Sequence, residues 1–192
     1  MIDEILIAGF GGQGIMLMGK LLAYGAIYEG LEVIFYPSYG PEMRGGTANC
    51  TVVISDERIG SPVRNQFTHL MAMNQASVDR FSERVKPGGL IVYNQSLVES
   101  LPPRTDLRSV GIPANQIAKE LNAPQSANIV AIGALMHTLK RVSLPALVKG
   151  LARVLPKNRH DTMLLSETAL QRGIEAVVKW VHQSEAAHDT KG

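Results

Sequence analysis

The sequence predicts an α/β fold: a single Rossmann-like, three-layer domain with a mostly parallel sheet and a helical C-terminal part. Three observations carry this expectation. Short apolar runs alternate with helical segments through the first half of the chain. A glycine turn with the spacing G-x-G-x-x-G, at Gly9, Gly11 and Gly14, stands between the first strand and the first helix. Beyond Ile112 the apolar residues recur only at helical spacing.

In chain order, Glu4–Ala8 is a short apolar strand that ends in the glycine turn. A helix follows from about Gly14 to Glu29, apolar nearly all round, with Lys20 and Glu29 its only charges. A surface helix shows one wide polar face, so this one is expected to be covered on more than one side, by its own domain or by a partner. Val33–Tyr36 is a second strand that completes a β-α-β unit. The segment from Pro37 to Gly46 has no periodicity and reads as a loop. In Thr47–Ser55 the residues Ala48, Cys50, Val52 and Ile54 alternate, which marks a strand. Thr68–Met73 is another strand, Gln75–Val85 a helix, and Leu90–Tyr93 and Arg108–Ile112 are further strands. Three or four helices follow: Asn115–Leu121, Asn128–Leu139, one capped by Ser143 with Pro145 in its first turn, and a last one from about Asp161. The expected division is one domain over 1–183 and a flexible tail over 184–192.

Composition narrows the function. The chain has 192 residues, 45% of them hydrophobic, enough for one substantial core. Its net charge of +2 is spread along the chain, which gives no basic stripe for nucleic acid. No run of about twenty apolar residues suggests a membrane span, and the start lacks the basic region of a signal peptide. Cys50 is the only cysteine, so neither an intrachain disulfide nor a four-thiolate iron–sulfur cluster can be built from this chain alone. The expected location is the cytoplasm. The five histidines show no metal-ligand spacing.

Two segments carry candidate chemistry. In the first, Gly9, Gly11, Gly12, Gln13 and Gly14 form a turn whose exposed N–H groups at a helix start favour an anion. A dinucleotide site also wants an acid at the end of the second strand, for a ribose hydroxyl. That strand ends in Phe35-Tyr36-Pro37-Ser38, and Glu32 lies at its wrong end. A free-standing NAD(P)-binding enzyme therefore stands as the alternative reading, beside a phosphate site for another ligand and a turn made for packing. The second segment is Ser38, Tyr39, Gly40, Glu42, Arg44, Gly45 and Gly46, expected at the carboxyl end of the second strand. Arg44 stays protonated, so it suits a carboxylate or phosphate; Glu42 and Arg44 could equally fix the loop against a neighbouring chain.

GFGGQG, followed by SYGPEMRGGTANC and the ISDERIGSP turn, resembles the gamma subunit of 2-oxoacid:ferredoxin oxidoreductases, and the gamma domain of single-chain pyruvate:ferredoxin oxidoreductases. The SYGPEMRGG form is more similar to the 2-oxoglutarate and branched-chain types. The resemblance implies a subunit of an enzyme that decarboxylates a 2-oxoacid on thiamine diphosphate, passes electrons through iron–sulfur clusters to ferredoxin, and transfers the acyl group to coenzyme A. It places those cofactors in other subunits or at interfaces, none bound by this chain alone. The implied partners are alpha and beta subunits, with a ferredoxin-like delta subunit as a further candidate, and the chain is expected to buttress alpha and to help form the coenzyme A path. The resemblance assigns the glycine turn and the 38–46 segment to ligand binding or a subunit interface, and no catalytic residue. One departure lies in the last helix, where Ser166 stands three residues before Ala169 in place of the asparagine usual in relatives.

Overall fold

A computed structural model describes residues 1–38, 47–61, 63–155 and 160–189. The elements are β1 (Ile2–Phe10), α1 (Ile15–Tyr28), β2 (Glu32–Ser38), β3 (Thr47–Ser55), β4 (Phe67–Ala72), α2 (Gln75–Phe81), β5 (Val85–Asn94), β6 (Arg108–Ile112), α3 (Ala114–Glu120), α4 (Ala127–Leu139), α5 (Leu144–Val154) and α6 (His160–Asp189).

The six strands form one sheet in the order β2-β3-β1-β4-β5-β6. β1, β4, β5 and β6 pair in parallel, whereas β3 runs antiparallel to both β1 and β2. Five strands thus share one direction, and the expected mostly parallel sheet is found. The expected β-α-β unit is altered in one respect: β3 is inserted between β1 and β2. The alternation in Thr47–Ser55 marked β3 as a strand, but its place between two earlier strands is a long-range choice that local pattern does not carry.

β1 shows why the fold has three layers. Its buried side chains alternate, with Ile5 and Ile7 in one apolar cluster and Leu6 and Ala8 in another on the opposite face. The first cluster is large and lies under α1, α4, α5 and α6. The second is smaller and is covered by α2 with the chain around Val98 and Leu101.

Helix ends follow local chemistry. The Asn74 side chain accepts from Ser77 N–H at the start of α2, and Ser143 Oγ accepts from Ala146 N–H at the start of α5, as its sequence signal predicts. The helix expected over Gln75–Val85 stops at Phe81, passes through one 3-10 turn (Ser82–Arg84), and gives way to β5, which begins before its two glycines. α1 is covered by the sheet and by α5, its Gly25 lying against Val142 and Leu147; Tyr24, Ile27 and Tyr28 stay exposed on its remaining face. α4 and α6 cross at backbone contact. A Cβ on Gly173 would lie 2.0 Å from the Val130 carbonyl oxygen, and one on Gly133 2.3 Å from that of Leu170. Ser166 and Ala169 are buried on the same helix. α6 continues through Ser184 to Asp189.

Candidate functional site

Because β1, β4, β5 and β6 are parallel, their carboxyl ends lie along one edge, where the chain leaves each strand toward a helix. The glycine turn follows β1 there. Gly12 and Gly14 have φ of 97° and 76°, so these two glycines supply the left-handed backbone the turn needs. Gly9 serves packing instead: a Cβ there would lie 2.6 Å from Ile15 Cδ1 and 2.7 Å from Gln13 Oε1. Gly14 makes its closest approach to α4. A Cβ on it would lie 2.0 Å from Asn128 Nδ2. Gly11 and Gly12 are exposed, and no atom stands within 4 Å of a Cβ built on Gly12.

Gln13 holds the turn from inside. Its Oε1 accepts from Phe10 N–H at 2.7 Å and from Asn74 Nδ2 at 2.9 Å, and its Nε2 donates to the Met73 carbonyl at 3.4 Å. The turn is thereby fastened to the end of β4. Asn94, fully buried at the end of β5, donates to the same Met73 carbonyl at 3.4 Å and to Asn115 Oδ1 at 2.7 Å. Asn74 Oδ1 in turn accepts from the Ser77 N–H and hydroxyl, each at 2.9 Å. The result is a carboxamide chain, Gln13–Asn74 and Asn94–Asn115, joined through one carbonyl, with Asn128 packed at its end. A satisfied network of this kind fixes the loop geometry without placing a charge in it.

What remains open is backbone. Gly14 caps α1 with no side-chain hydrogen bond, so the first amides of α1 face the turn without a side-chain acceptor. These amides and the positive end of the helix dipole suit an anion.

Of the second predicted segment, Ser38 is the last residue of β2 and is exposed. Tyr39, Gly40, Glu42, Arg44, Gly45 and Gly46 lie outside the described residues. The flanks are placed, however: Ser38 pairs with Asn49, and Thr47 pairs with Phe10 beside the glycine turn. Arg80 of α2 donates to Thr47 Oγ1 at 2.7 Å and so brings a cation to this edge. Sequence reasoning missed Arg80 and the four asparagines. Their common signal was position, since Asn74, Asn94 and Asn115 each stand just beyond or at the end of a predicted strand.

The geometry also bears on the nicotinamide reading. In a dinucleotide fold the second strand lies next to the first, and its terminal acid reaches the ribose. Here β3 separates them, which sets β2 about 10 Å from β1 at ordinary strand spacing. Glu32 pairs with Ser55, at the opposite end of the sheet from the glycine turn.

Cys50 behaves as the small hydrophobe its strand position suggests. It is fully buried, its Sγ donates to the Ile15 carbonyl at 3.5 Å, and burial pushes the thiol pKa up to about 12. One buried thiol does not fit an iron–sulfur cluster, and no cluster of potential metal ligands occurs among the described residues. No helix among the described residues is long and apolar enough to cross a membrane.

Residues 4–176 match the family described as pyruvate ferredoxin/flavodoxin oxidoreductase. This chain belongs to that family. It is 37% identical over 175 residues to the 2-oxoglutarate synthase subunit KorC of Methanocaldococcus jannaschii, covering 90% of this chain and 92% of that one. It is 45% identical over 133 residues to the ketoisovalerate oxidoreductase subunit VorA of Methanothermobacter marburgensis, but this match takes in 69% of the chain and only 28% of VorA's length. Among solved structures, the gamma subunit of a keto/oxoacid ferredoxin oxidoreductase from Geobacter sulfurreducens superposes with a TM-score of 0.83 at 32% identity, covering 94% of this chain and 98% of that one. The resemblance carried by GFGGQG and SYGPEMRGG, and the fold it implied, are thereby borne out.

Proposed function

We propose that the chain is the gamma subunit of a 2-oxoacid:ferredoxin oxidoreductase, and that the complex oxidatively decarboxylates 2-oxoglutarate or a closely related 2-oxoacid to its acyl-coenzyme A. The observation that carries the reading is the near end-to-end match to KorC, 90% of this chain against 92% of the relative. The match to VorA takes in only 28% of that relative's length.

Within that complex the chain supplies binding and assembly rather than the chemical step. Its only thiol is buried and protonated, and the polar groups gathered at the carboxyl edge are neutral carboxamides engaged with one another. Thiamine diphosphate and iron–sulfur clusters belong, on this reading, to alpha, beta and ferredoxin-like delta subunits, with ferredoxin as the electron acceptor. The glycine turn contributes the uncapped amides of α1, with Arg80 as a neighbouring cation, to the path of the anionic coenzyme A.

Reconstitution tests the proposal. Full-length chain mixed with candidate alpha and beta subunits should assemble and restore 2-oxoglutarate- and coenzyme A-dependent reduction of ferredoxin. A chain that stays monomeric beside them, and adds nothing to their activity, would sink it. Micromolar binding of NAD or NADP by the isolated chain would revive the free-standing alternative.

A further inference from the structure

β6 is the last strand of the sheet, and its outer edge pairs with no described strand. An open edge leaves main-chain donors and acceptors without a ladder partner. A cavity of about 490 Å³ lies along it, and Arg108, Ser109 and Val110 all line that cavity. Side chains of consecutive strand residues point to opposite faces. Three in succession can share one cavity only where it meets the backbone edge of the strand. α6 forms the far wall with Val177, Val178, Trp180 and Val181. Val178 and Val181 are 40% and 41% exposed, so an apolar strip runs beside the open edge.

The charges at this cavity are of one sign. The charged groups are Arg108 of β6 and Lys140 at the end of α4; His137 of α4 and His182 of α6 also line the space, and no acidic side chain does. None of these four basic groups makes an ion pair among the described residues. Some cations elsewhere are paired with acids, as Arg141 is with Asp56 and Arg172 with Glu120, while others such as Arg80 and Arg153 bond to uncharged oxygens. Lys140 also takes a left-handed backbone, φ 54°, at the end of α4.

We infer that the β6 edge, with Arg108 and Lys140 flanking an apolar wall on α6, is a docking site for an extended acidic segment of a partner protein that adds a strand to the sheet. The open main-chain edge, the apolar strip and the unmatched cations are the three features such a segment would satisfy: backbone pairing, alternate apolar side chains, and alternate carboxylates. The inference goes beyond the subunit reading above, because it stands on this edge whether or not the partner is an oxidoreductase subunit.

Trp180 is the only tryptophan in the chain and lines the cavity, so its emission reports occupancy. The probe is a capped seven-residue peptide of alternating valine and glutamate, titrated into the full chain. A saturable change in Trp180 emission is expected, weakened roughly tenfold or more in the double variant Arg108→Glu, Lys140→Glu. The variant Arg108→Gln, Lys140→Gln, with circular dichroism matching the parent, should fall between the two and keeps a folding defect from passing for lost binding. Absence of a saturable change overturns the inference, as does equal binding of the valine–lysine peptide. Decanoate binding as tightly as the peptide would point to a small anion instead. Self-association abolished by the double reversal would point to a second copy. Either result overturns the inference.

Discussion

At the amino ends of the parallel strands the buried polar groups are ions; at the carboxyl ends they are carboxamides and bare backbone, with exposed Arg80 at the rim. Glu4 of β1 is buried and pairs with both Arg64 and Lys86. Asp3, on the other face of the same strand, is buried with Arg141 Nε 3.7 Å from its Oδ2 and His69 Nδ1 3.9 Å from its Oδ1. Six residues further along β1, the chain meets Gln13, Asn74, Asn94 and Asn115, with no ion pair among them. The difference teaches which edge is built for stability and which for a ligand. The ions at the amino edge face one another across the strands, although Asp3 Oδ2 and Arg64 Nε are buried without a hydrogen bond. Uncapped helix amides over a neutral, rigid base leave room for a charge that arrives.

Disturbing the ionic edge should therefore affect folding, and disturbing the carboxamide edge should affect function. Glu4→Gln should be the most damaging change. It leaves Arg64, which is largely buried, facing a neutral group, at a cost of about 3–5 kcal/mol for a broken buried pair. Urea unfolding reads it directly, and a loss below about 1 kcal/mol would mean that solvent reaches this edge after all.

Acid comes next. Burial lowers the His69 pKa from 6.5 to about 4, with Arg108 pushing the same way. The neutral ring's contribution is thus fully present above pH 6.5 and is lost as pH falls through about 4. Asp3 works in the opposite sense: burial raises its pKa, with Arg141 pulling it back, so its ionisation weakens the fold as pH rises through that raised value. Through the His69 window, from pH 6.5 down to about 4, the histidine lowers the thermal midpoint. His69→Gln should flatten that dependence; an unchanged slope would place the sensitive group elsewhere.

Gly14→Ala should cost about 1–2 kcal/mol for its left-handed backbone, since Asn128 can swing from the added methyl. The same change should depress the activity of an assembled complex more than its stability. Asp56→Asn, at an exposed pair with Arg141 and the N-terminus, should leave the midpoint nearly unmoved.

The comparison also explains what the sequence made legible. Strand and helix identity followed from periodicity, because β1, β4 and β5 bury apolar residues on both faces and α5 keeps a 3.6-residue stripe. The glycine turn was visible because Gly12 and Gly14 need backbone that other residues avoid. The insertion of β3 was not, since it depends on pairing between residues such as Phe10 and Thr47, far apart in the chain. Nor were the carboxamides, because a lone asparagine after a strand looks like any turn residue until the strands are set side by side. The packing role of Gly9 was hidden for the same reason, since its crowding comes from Ile15, Gln13 and Met73.

The central claim is that the carboxyl edge receives an anionic ligand inside the complex. Gly11→Asp tests it most directly, since that position is exposed and lies outside the left-handed backbone region that Gly12 and Gly14 occupy. In the reconstituted enzyme the KM for coenzyme A should rise about tenfold or more, from a charge set against charge-assisted contacts. The KM for the 2-oxoacid, and kcat at saturating coenzyme A, should stay near the parent values. An unchanged KM for coenzyme A in a fully assembled complex would contradict the account and leave the glycine turn a packing device.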